Sequence, residues 1–266
     1  FSGGLNVLQS KTSYIIGFAA AVCLVCGVVV AGAAVGLKEK QVTNQILDRQ
    51  KKVLTVSGLM EEGAVLTPAQ VQELFEANIK PRLIDMSKGT YAPNDAVDIT
   101  TYDPEKASKD PNMSTAAGAN PAKVQSVPNL HLIYEVQKEG DVAMLVLPVK
   151  GKGLWSTMYG YVALDKDGET VSGLTFYQHG ETPGLGGEVD NPKWKALWPG
   201  RKVYNDGDVA LKVVKGQAGP VNEAPYEVDG LSGATITSNG VTYLIQFWLG
   251  ETGFGPFIQN FTKGKA

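Results

Sequence analysis

One long uncharged and mostly apolar run near the N-terminus stands out in the pattern of hydrophobic and polar positions. It extends from Ile15 to Leu37, which is 23 consecutive residues without a charged side chain. A helix of that length measures roughly 35 Å, enough to cross the hydrocarbon core of a bilayer. The apolar region of a cleaved signal peptide would be shorter. The pattern therefore predicts a single transmembrane helix that is retained as an anchor.

After this run, apolar residues recur at helical spacing inside a charged stretch. Val42, Ile46 and Val53 fall on one face, within a region where Lys38–Lys52 supplies many charges. An apolar stripe with this period is typical of an amphipathic helix. We predict a juxtamembrane helix that lifts the following residues off the bilayer.

The sequence Thr67-Pro68-Ala69-Gln70 predicts the start of a short helix, because it combines an N-cap residue, a first-turn proline and a capping-box glutamine. We expect this helix to end near Pro81. From Ser87 to Asn129 the chain is rich in polar residues, proline and glycine and has little periodicity. This composition indicates a long surface loop with a brief strand at 97–100.

The second half of the chain alternates between apolar runs and turn residues, which predicts antiparallel β-hairpins. The two hairpins comprise 131–137 with 142–149, and 157–164 with 170–178. Further predicted elements are a short helix carrying Trp194 and Trp198, a strand at 209–214 and a helix at 241–249. We therefore predict an α+β fold in three parts: a transmembrane anchor (1–37), a region of helices and long loops (38–129) and a folded domain (130–266).

Composition and charge narrow the classes of function. The formal net charge is −3 and the sequence pI is about 5.5, which argues against a nucleic-acid-binding surface. The only two cysteines, Cys23 and Cys26, lie inside the apolar run, and the chain has two histidines. An iron–sulfur cluster normally needs four thiolates, and a zinc site three or four ligands. We predict no metal centre, and no pattern indicates a catalytic nucleophile with its base.

The stretch from Asp229 to Gly240 combines four hydroxyl side chains with three glycines, directly before an apolar helix. Glycines allow a close backbone approach, and a helix N-terminus favours an anion such as phosphate. The alternative is that Thr237 or Ser238 caps the helix and that Gly230, Gly233 and Gly240 are ordinary turn residues. These residues alone leave both interpretations open.

The ordered string Asp229-Gly230-Leu231-Ser232-Gly233-Ala234-Thr235 resembles the flavinylation motif of the FMN-binding domain family. The resemblance implies that a flavin transferase joins FMN through its phosphate to Thr235, with Ser232, Gly233 and Ala234 beside it. It identifies 130–266 as the FMN-binding domain. Asp229 would either hold a metal ion of the transferase or close an Asx-type turn.

Two further segments resemble the same family, Gly153-Leu154-Trp155-Ser156 and Gly180-Glu181-Thr182-Pro183-Gly184-Leu185-Gly186. An isoalloxazine ring needs a flat apolar wall and a few placed polar groups. The implied wall is formed by Trp155, with Leu154 beside it, and by Leu185. The implied polar contacts are Glu181, Thr182 and the backbone of Gly186. A carboxylate beside the ring disfavours the anionic reduced forms, so Glu181→Gln is expected to raise the flavin midpoint potential.

Over nearly its whole length the chain resembles the family of C subunits of Na⁺-translocating NADH:quinone oxidoreductases. The resemblance implies an electron-carrying flavoprotein in a membrane complex of six subunits, in which other subunits bind NADH, ubiquinone and Na⁺. One alternative is the homologous G subunit of Rnf-type ferredoxin:NAD⁺ complexes, which usually has a shorter segment before the flavin domain. A second alternative is a non-redox, membrane-anchored binding module.

The charges beside the anchor and the family resemblance predict opposite orientations. Lys11 lies on the N-terminal side of the apolar run, whereas Lys38 and Lys40 lie on the other side. The positive-inside rule would therefore place the C-terminal domain in the cytoplasm. The resemblance implies a bacterial inner-membrane protein with its flavin domain in the periplasm, and our prediction of an extracytoplasmic domain follows the resemblance.

Overall fold

A computed structural model describes residues 3–93 and 96–266, with side chains described from residue 12 onward. The side chain of Lys11, which enters the charge argument on orientation, lies outside the described residues. Contacts group the chain into two compact units, Phe1–Leu47 and Asp48–Ala266. The boundaries predicted at residues 37 and 129 stay a proposal about domain organisation.

The first helix, α1 (Gly3–Val56), is continuous through both the predicted anchor and the predicted juxtamembrane helix. Within the described residues, 12–56 contain a segment long and apolar enough to cross a membrane. Val42 and Ile46 are exposed. Of the three residues in the predicted amphipathic stripe, Val53 is buried, and it belongs to the second unit.

The second helix, α2 (Pro68–Asn78), begins as predicted. Thr67 is the N-cap, and the reciprocal capping-box hydrogen bonds with Gln70 are both present. The helix ends at Asn78, three residues before Pro81 and close to the predicted end, and strand β1 (Ile79–Asp85) follows it directly. Among the described residues, one strand pairs with β1 at Pro81, and a strand tolerates a residue without an N–H group in this setting.

The predicted long loop contains several short elements. These are β2 (Thr90–Tyr91), α3 (Pro104–Ala107), β3 (Ser114–Ala116) and β4 (Ser126–Pro128). The strand predicted at 97–100 is wrong, because Asp98 accepts hydrogen bonds from both the N–H and the hydroxyl of Thr100. Such a local side-chain contact closes a turn and competes with strand pairing.

Both predicted hairpins are confirmed, and they supply four consecutive strands of a six-stranded sheet. The four strands are β5 (Leu130–Lys138), β6 (Asp141–Lys152), β7 (Thr157–Asp165) and β8 (Val171–Gln178). The sheet order is β2-β1-β5-β6-β7-β8, and every pair is antiparallel. Glu139 and Gly140 both have positive φ, which is typical of a tight hairpin turn whose twist matches the flanking strands.

The remaining elements follow the sheet in sequence. They are α4 (Pro192–Lys195), β9 (Tyr204–Asn205), β10 (Asp208–Val209), β11 (Lys212–Val213), β12 (Glu227–Val228), α5 (Thr235–Leu249) and α6 (Gly255–Thr262). The strand predicted at 209–214 consists of two pieces, because β10 pairs with β9 whereas β11 pairs with β12 in parallel. Helix α6 has no counterpart among the sequence predictions. The α+β class with antiparallel hairpins is confirmed.

Helix α5 packs across one face of the sheet and contributes to the main apolar core. Gly151 on β6 leaves room for Leu244, since a methyl group at Gly151 would lie 2.6 Å from the Cβ atom of Leu244. His131 is buried against Trp248 and Phe254, and burial lowers its pKa to about 3. His131 is therefore a neutral core residue. Its contact with Trp248 helps to hold α5 against the sheet.

We expect Gly240→Ala to destabilise the domain although alanine is the better helix former by about 1 kcal/mol. A methyl group at Gly240 would lie 2.5 Å from the carbonyl oxygen of Lys152 and 3.2 Å from the Cα atom of Gly153. Overpacking of this kind costs about 1–3 kcal/mol. Thermal unfolding of the full chain in detergent would show the loss. Asn239→Ala, at an exposed neighbouring position, is the control and should change stability by less than about 0.5 kcal/mol.

Candidate functional site

The turn before α5 is anchored by the side-chain carboxylate and by the backbone carbonyl oxygen of Asp229. Its carboxylate Oδ1 accepts the N–H of Ala218 at 2.9 Å, and its carbonyl oxygen accepts the indole N–H of Trp194 at 2.8 Å. Asp229 therefore ties the turn to two other segments of the chain. The bond to Ala218 joins residues 11 positions apart, so it differs from the local Asx-type turn considered for Asp229, and the metal-binding role stays a prediction.

The parallel pair β11–β12 places the segment after β11 beside the same turn. Val214 donates its N–H to Val228 at 2.9 Å, and Gly230 donates its N–H to Gly216 at 2.8 Å. A side chain at Gly230 would collide with the carbonyl oxygen of Val214, so glycine is required for this approach. The two segments form the walls of one cleft.

This cleft has a volume of about 480 Å³. Ser232, Gly233 and Thr235 line it from one side, and Lys215 lines it from the other. Lys215 is exposed, and none of the ion pairs found among the described residues involves it. The cleft thus combines the exposed side chain of Thr235 with a cation on the opposite wall.

Helix α5 begins at Thr235 without a side-chain cap. Its N-cap residue is the buried Ala234, and no side-chain hydrogen bond caps this end. The Ser238 hydroxyl accepts the N–H of Leu231 at 3.0 Å, and the Thr237 hydroxyl donates to Glu181 at 2.6 Å. The alternative in which Thr237 or Ser238 caps the helix is therefore wrong. The N–H groups of the first turn, which form the positive end of the helix dipole, are therefore available to an anion.

Glu181 lies at the junction of three segments and is only 5% exposed. Its Oε1 accepts the N–H groups of Trp155 at 3.0 Å and Ser156 at 3.1 Å. Its Oε2 accepts the N–H of Leu154 at 3.1 Å and the hydroxyl of Thr237 at 2.6 Å. One carboxylate therefore joins loop 153–156, loop 180–187 and the first turn of α5.

Burial raises the pKa of Glu181, but hydrogen bonds from Thr237 and from the backbone of Ser156, Trp155 and Leu154 lower it further than burial raises it. The net effect is a pKa below the ordinary value of 4.5. The side chain is accordingly a carboxylate at neutral pH, because four donors stabilise the charged form.

His179 supports the same junction through contacts with Glu181 and Asp190. Its Nδ1 accepts the N–H of Glu181 at 3.2 Å, and its Nε2 lies 2.8 Å from Oδ2 of Asp190. The N–H of Gly180 donates to the Ser156 hydroxyl at 2.6 Å, which adds a second tie between the loops. Loop 180–187 is therefore fixed on both sides of Glu181.

Apolar side chains surround this junction at the surface. Trp155 is 67% exposed, and Leu154, Leu185 and Ile236 are also exposed. Leu185 contacts the turn directly, since a methyl group at Gly233 would lie 3.0 Å from its Cδ2 atom. Exposed aromatic and aliphatic side chains therefore lie beside the start of α5.

The structure thus divides the residues that the sequence indicated. Ser232, Gly233 and Thr235 line the cleft; Leu154, Trp155, Thr182 and Leu185 are exposed on adjoining loops; Ala234, Glu181 and Gly186 are buried. Sequence reasoning missed the contact of Thr237 with Glu181. Gly186 leaves room for that contact, because a methyl group there would lie 2.6 Å from Oγ1 of Thr237. The sequence alone does not show that Gly186 and Thr237 are neighbours.

Comparison with known proteins agrees with this geometry. The FMN-binding domain family matches residues 153–250, which include both loops, the cleft and α5. The C subunit of Na(+)-translocating NADH-quinone reductase from Pseudomonas aeruginosa is 47% identical over 262 residues, covering 97% of this chain and 99% of that protein. The chain belongs to this family of C subunits. The Vibrio anguillarum relative of the same name is 46% identical, and the match covers 96% of this chain and 95% of that protein.

Solved structures from this family have the same fold. The crystal structure of Shewanella oneidensis NqrC is 32% identical, with a TM-score of 0.72, and the match covers 80% of this chain and 96% of that one. The corresponding structure from Parabacteroides distasonis has a TM-score of 0.64 at 24% identity and supports the fold alone. The α+β domain that carries the cleft is therefore the fold of this family.

We expect the stability lost in Glu181→Gln to depend on pH. Because the folded-state pKa of Glu181 is below 4.5, its stabilising effect is complete well above pH 4.5 and is lost as the pH falls through the folded-state pKa. The difference in melting temperature between wild type and variant should therefore be largest near neutral pH and shrink in acid. Glu251→Gln, at an exposed position after α5, is the control and should follow the wild type throughout.

Proposed function

We propose that the chain is the electron-carrying flavoprotein subunit of a Na⁺-pumping NADH:ubiquinone oxidoreductase. In this proposal FMN is held covalently by a phosphoester to Thr235. The observation that carries the proposal is the exposed Thr235 side chain at the uncapped start of α5, inside the segment that matches the FMN-binding domain.

The cleft offers a phosphate group a helix N-terminus and a cation, while the Asp229 carboxylate, which also lines it, accepts the N–H of Ala218. The uncapped helix end offers N–H groups and a positive dipole, and Lys215 adds a full positive charge on the opposite wall. Gly230 and Gly233 keep the turn free of side chains, which allows the ligand to approach the backbone. Ser232 provides a further hydroxyl in the same cleft.

In the net condensation, the Thr235 hydroxyl loses its hydrogen and the phosphate of FMN loses one hydroxyl group; an O–P ester bond forms and one water is released. A threonine hydroxyl is a weak nucleophile and needs an activating base or metal ion. We assign that activation to a separate flavin transferase. Its substrate would be the Asp229–Thr235 turn, which protrudes far enough for Thr235 to be exposed.

The isoalloxazine ring requires an apolar surface near the phosphate, and the exposed Trp155, Leu154 and Leu185 supply one. Thr182 lies exposed on the same loop as Leu185 and is placed to meet the polar edge of the ring, together with the backbone near Gly186. Bound FMN would supply reversible electron uptake. The protein's part is to hold the cofactor at the surface, where the ring edge can approach another redox centre.

The proposed partners are the other members of a complex of six subunits in the bacterial inner membrane. Helix α1 supplies a segment able to cross that membrane, and the flavin domain would face the periplasm. Covalent attachment suits that compartment, because a cofactor lost there would not be replaced. The two relatives described above match 97% and 96% of this chain, including the long segment before the flavin domain, which favours this family over the Rnf-type G subunit.

The covalent site can be tested by intact mass. The full chain expressed with a flavin transferase should gain the mass of one FMN less one water, and Thr235→Ala should gain nothing. Thr252→Ala removes an exposed threonine beyond the other end of α5 and should leave the adduct intact. Wild type that stays unmodified in the presence of the transferase, or an adduct that persists in Thr235→Ala, would overturn the assignment.

Lys215 can be tested as the phosphate partner without any covalent step. In a Thr235→Ala chain, Lys215→Ala should weaken the binding of free FMN by roughly tenfold, the size of one hydrogen bond to a charged group. Quenching of flavin fluorescence on titration with the chain measures this affinity. The matched control is Lys212→Ala, because Lys212 lies three residues away and pairs with Glu227 at 3.1 Å outside the cleft. An equal loss in both variants would contradict a specific role.

A further inference from the structure

We propose that Glu181 is a positioning residue, which acts on the flavin site by fixing the apolar wall to the helix that bears the acceptor threonine. This inference rests on the proposed function and deepens it. It assigns Glu181 to the assembly of the site rather than to a direct contact between its carboxylate and the ring. The geometry carries the assignment in three steps.

The first step is the number of donors that meet one side chain. Three successive N–H groups, from Leu154 to Ser156, and the hydroxyl of Thr237 all donate to the two oxygens of Glu181. A carboxylate offers acceptors only, so it can receive all four. A glutamine would turn an NH₂ group toward some of these donors. The site therefore requires the charged form of this residue.

The second step is the closeness of the segments that Glu181 joins. A methyl group at Gly153 would lie 2.5 Å from Oε1, and one at Gly186 would lie 2.8 Å from Oε2. Both neighbouring backbones thus approach the carboxylate to a distance that excludes any side chain. The carboxylate fills the space between them, and Glu181 as a whole is 5% exposed. A flavin ring outside the protein would meet Trp155 and Leu185 rather than the Glu181 oxygens.

The third step is the place of each partner relative to the cofactor. Leu154 and Trp155 form the exposed apolar surface, and their N–H groups donate to the carboxylate. The hydroxyl of Thr237 donates to Oε2, the same oxygen that accepts the Leu154 N–H, and Thr237 lies two residues after Thr235 in the first turn of α5. Glu181 therefore sets the distance between the ring wall and the phosphate attachment point.

Two variants separate this role from a direct effect of charge on the flavin. Glu181→Gln removes the charge and the junction together, whereas Thr237→Val keeps the charge and removes only the link to α5. If Glu181 positions the wall, both variants should weaken the visible circular dichroism of the attached flavin, which reports how firmly the ring is held. Thr237→Ser retains the hydroxyl and should restore the wild-type signal. Equal FMN content is checked by intact mass.

A flavin-free measurement keeps the inference testable by itself. In a full-length Thr235→Ala chain, Glu181→Gln should speed hydrogen exchange of the Leu154–Ser156 amides by roughly tenfold or more, because each loses a charged acceptor. The Lys152 amide, which donates to Ala122 at 2.9 Å, is the internal reference and should stay protected. This exchange measurement does not need an FMN adduct. A failure of the positioning role can therefore be distinguished from a failure of the proposed function.

Two results would overturn the positioning role. The first is unchanged exchange at Leu154–Ser156 in Glu181→Gln. The second is a flavin that responds to Glu181→Gln by a shift of midpoint potential, while Thr237→Val matches wild type in both potential and circular dichroism. That second result would mean that the charge of Glu181 acts on the ring directly.

Discussion

The site depends on a single buried carboxylate that receives four hydrogen bonds. Glu181 stays charged inside the protein because its donors stabilise the ionised form more than burial disfavours it. Three of the donors come from loop 153–156 and one from the helix that begins at Thr235. Loss of the carboxylate would leave those buried donors unpaired, which is why the interaction has more effect than its individual distances suggest.

A second constraint is that the backbone approaches its neighbours at points where only glycine fits. Gly153, Gly186 and Gly240 each lie where a methyl group would collide with a neighbouring atom. Loop 153–156 and loop 180–187 therefore close tightly around the Glu181 carboxylate, and α5 lies directly against Lys152 and Gly153. The cofactor surface can therefore sit on loops and still be rigid, although loops ordinarily move more than the elements they connect.

Under the proposed function, these two constraints suit a protein that holds a flavin at its surface rather than in a substrate pocket. The cleft beside Thr235 would hold the phosphate, and Trp155 and Leu185 are exposed at the surface. A ring held there would keep an edge that a partner can approach. The apolar part of α1 then has a separate role, because an uncharged helix anchors the chain and offers no ionisable group for an ion path.

The sequence by itself determined the features that depend on near neighbours. The uncharged run at 15–37 predicts a membrane helix from length alone, and the capping box at Thr67 and Gln70 lies within four residues. The hairpins follow from alternation and turn residues. The motif ending at Thr235 is contiguous, so the family and the proposed acceptor could be predicted without a structure.

Only the tertiary structure decided which distant segments meet. Thr237 and Glu181 are 56 residues apart, and no local pattern pairs them. The same holds for Lys215, which the β11–β12 pair brings to the cleft, and for Pro81, which the sheet places in β1. Long-range contacts depend on the packing of the whole domain rather than on spacing along the chain. The residue types at this site could therefore be predicted from the sequence, whereas their partners were fixed by the fold.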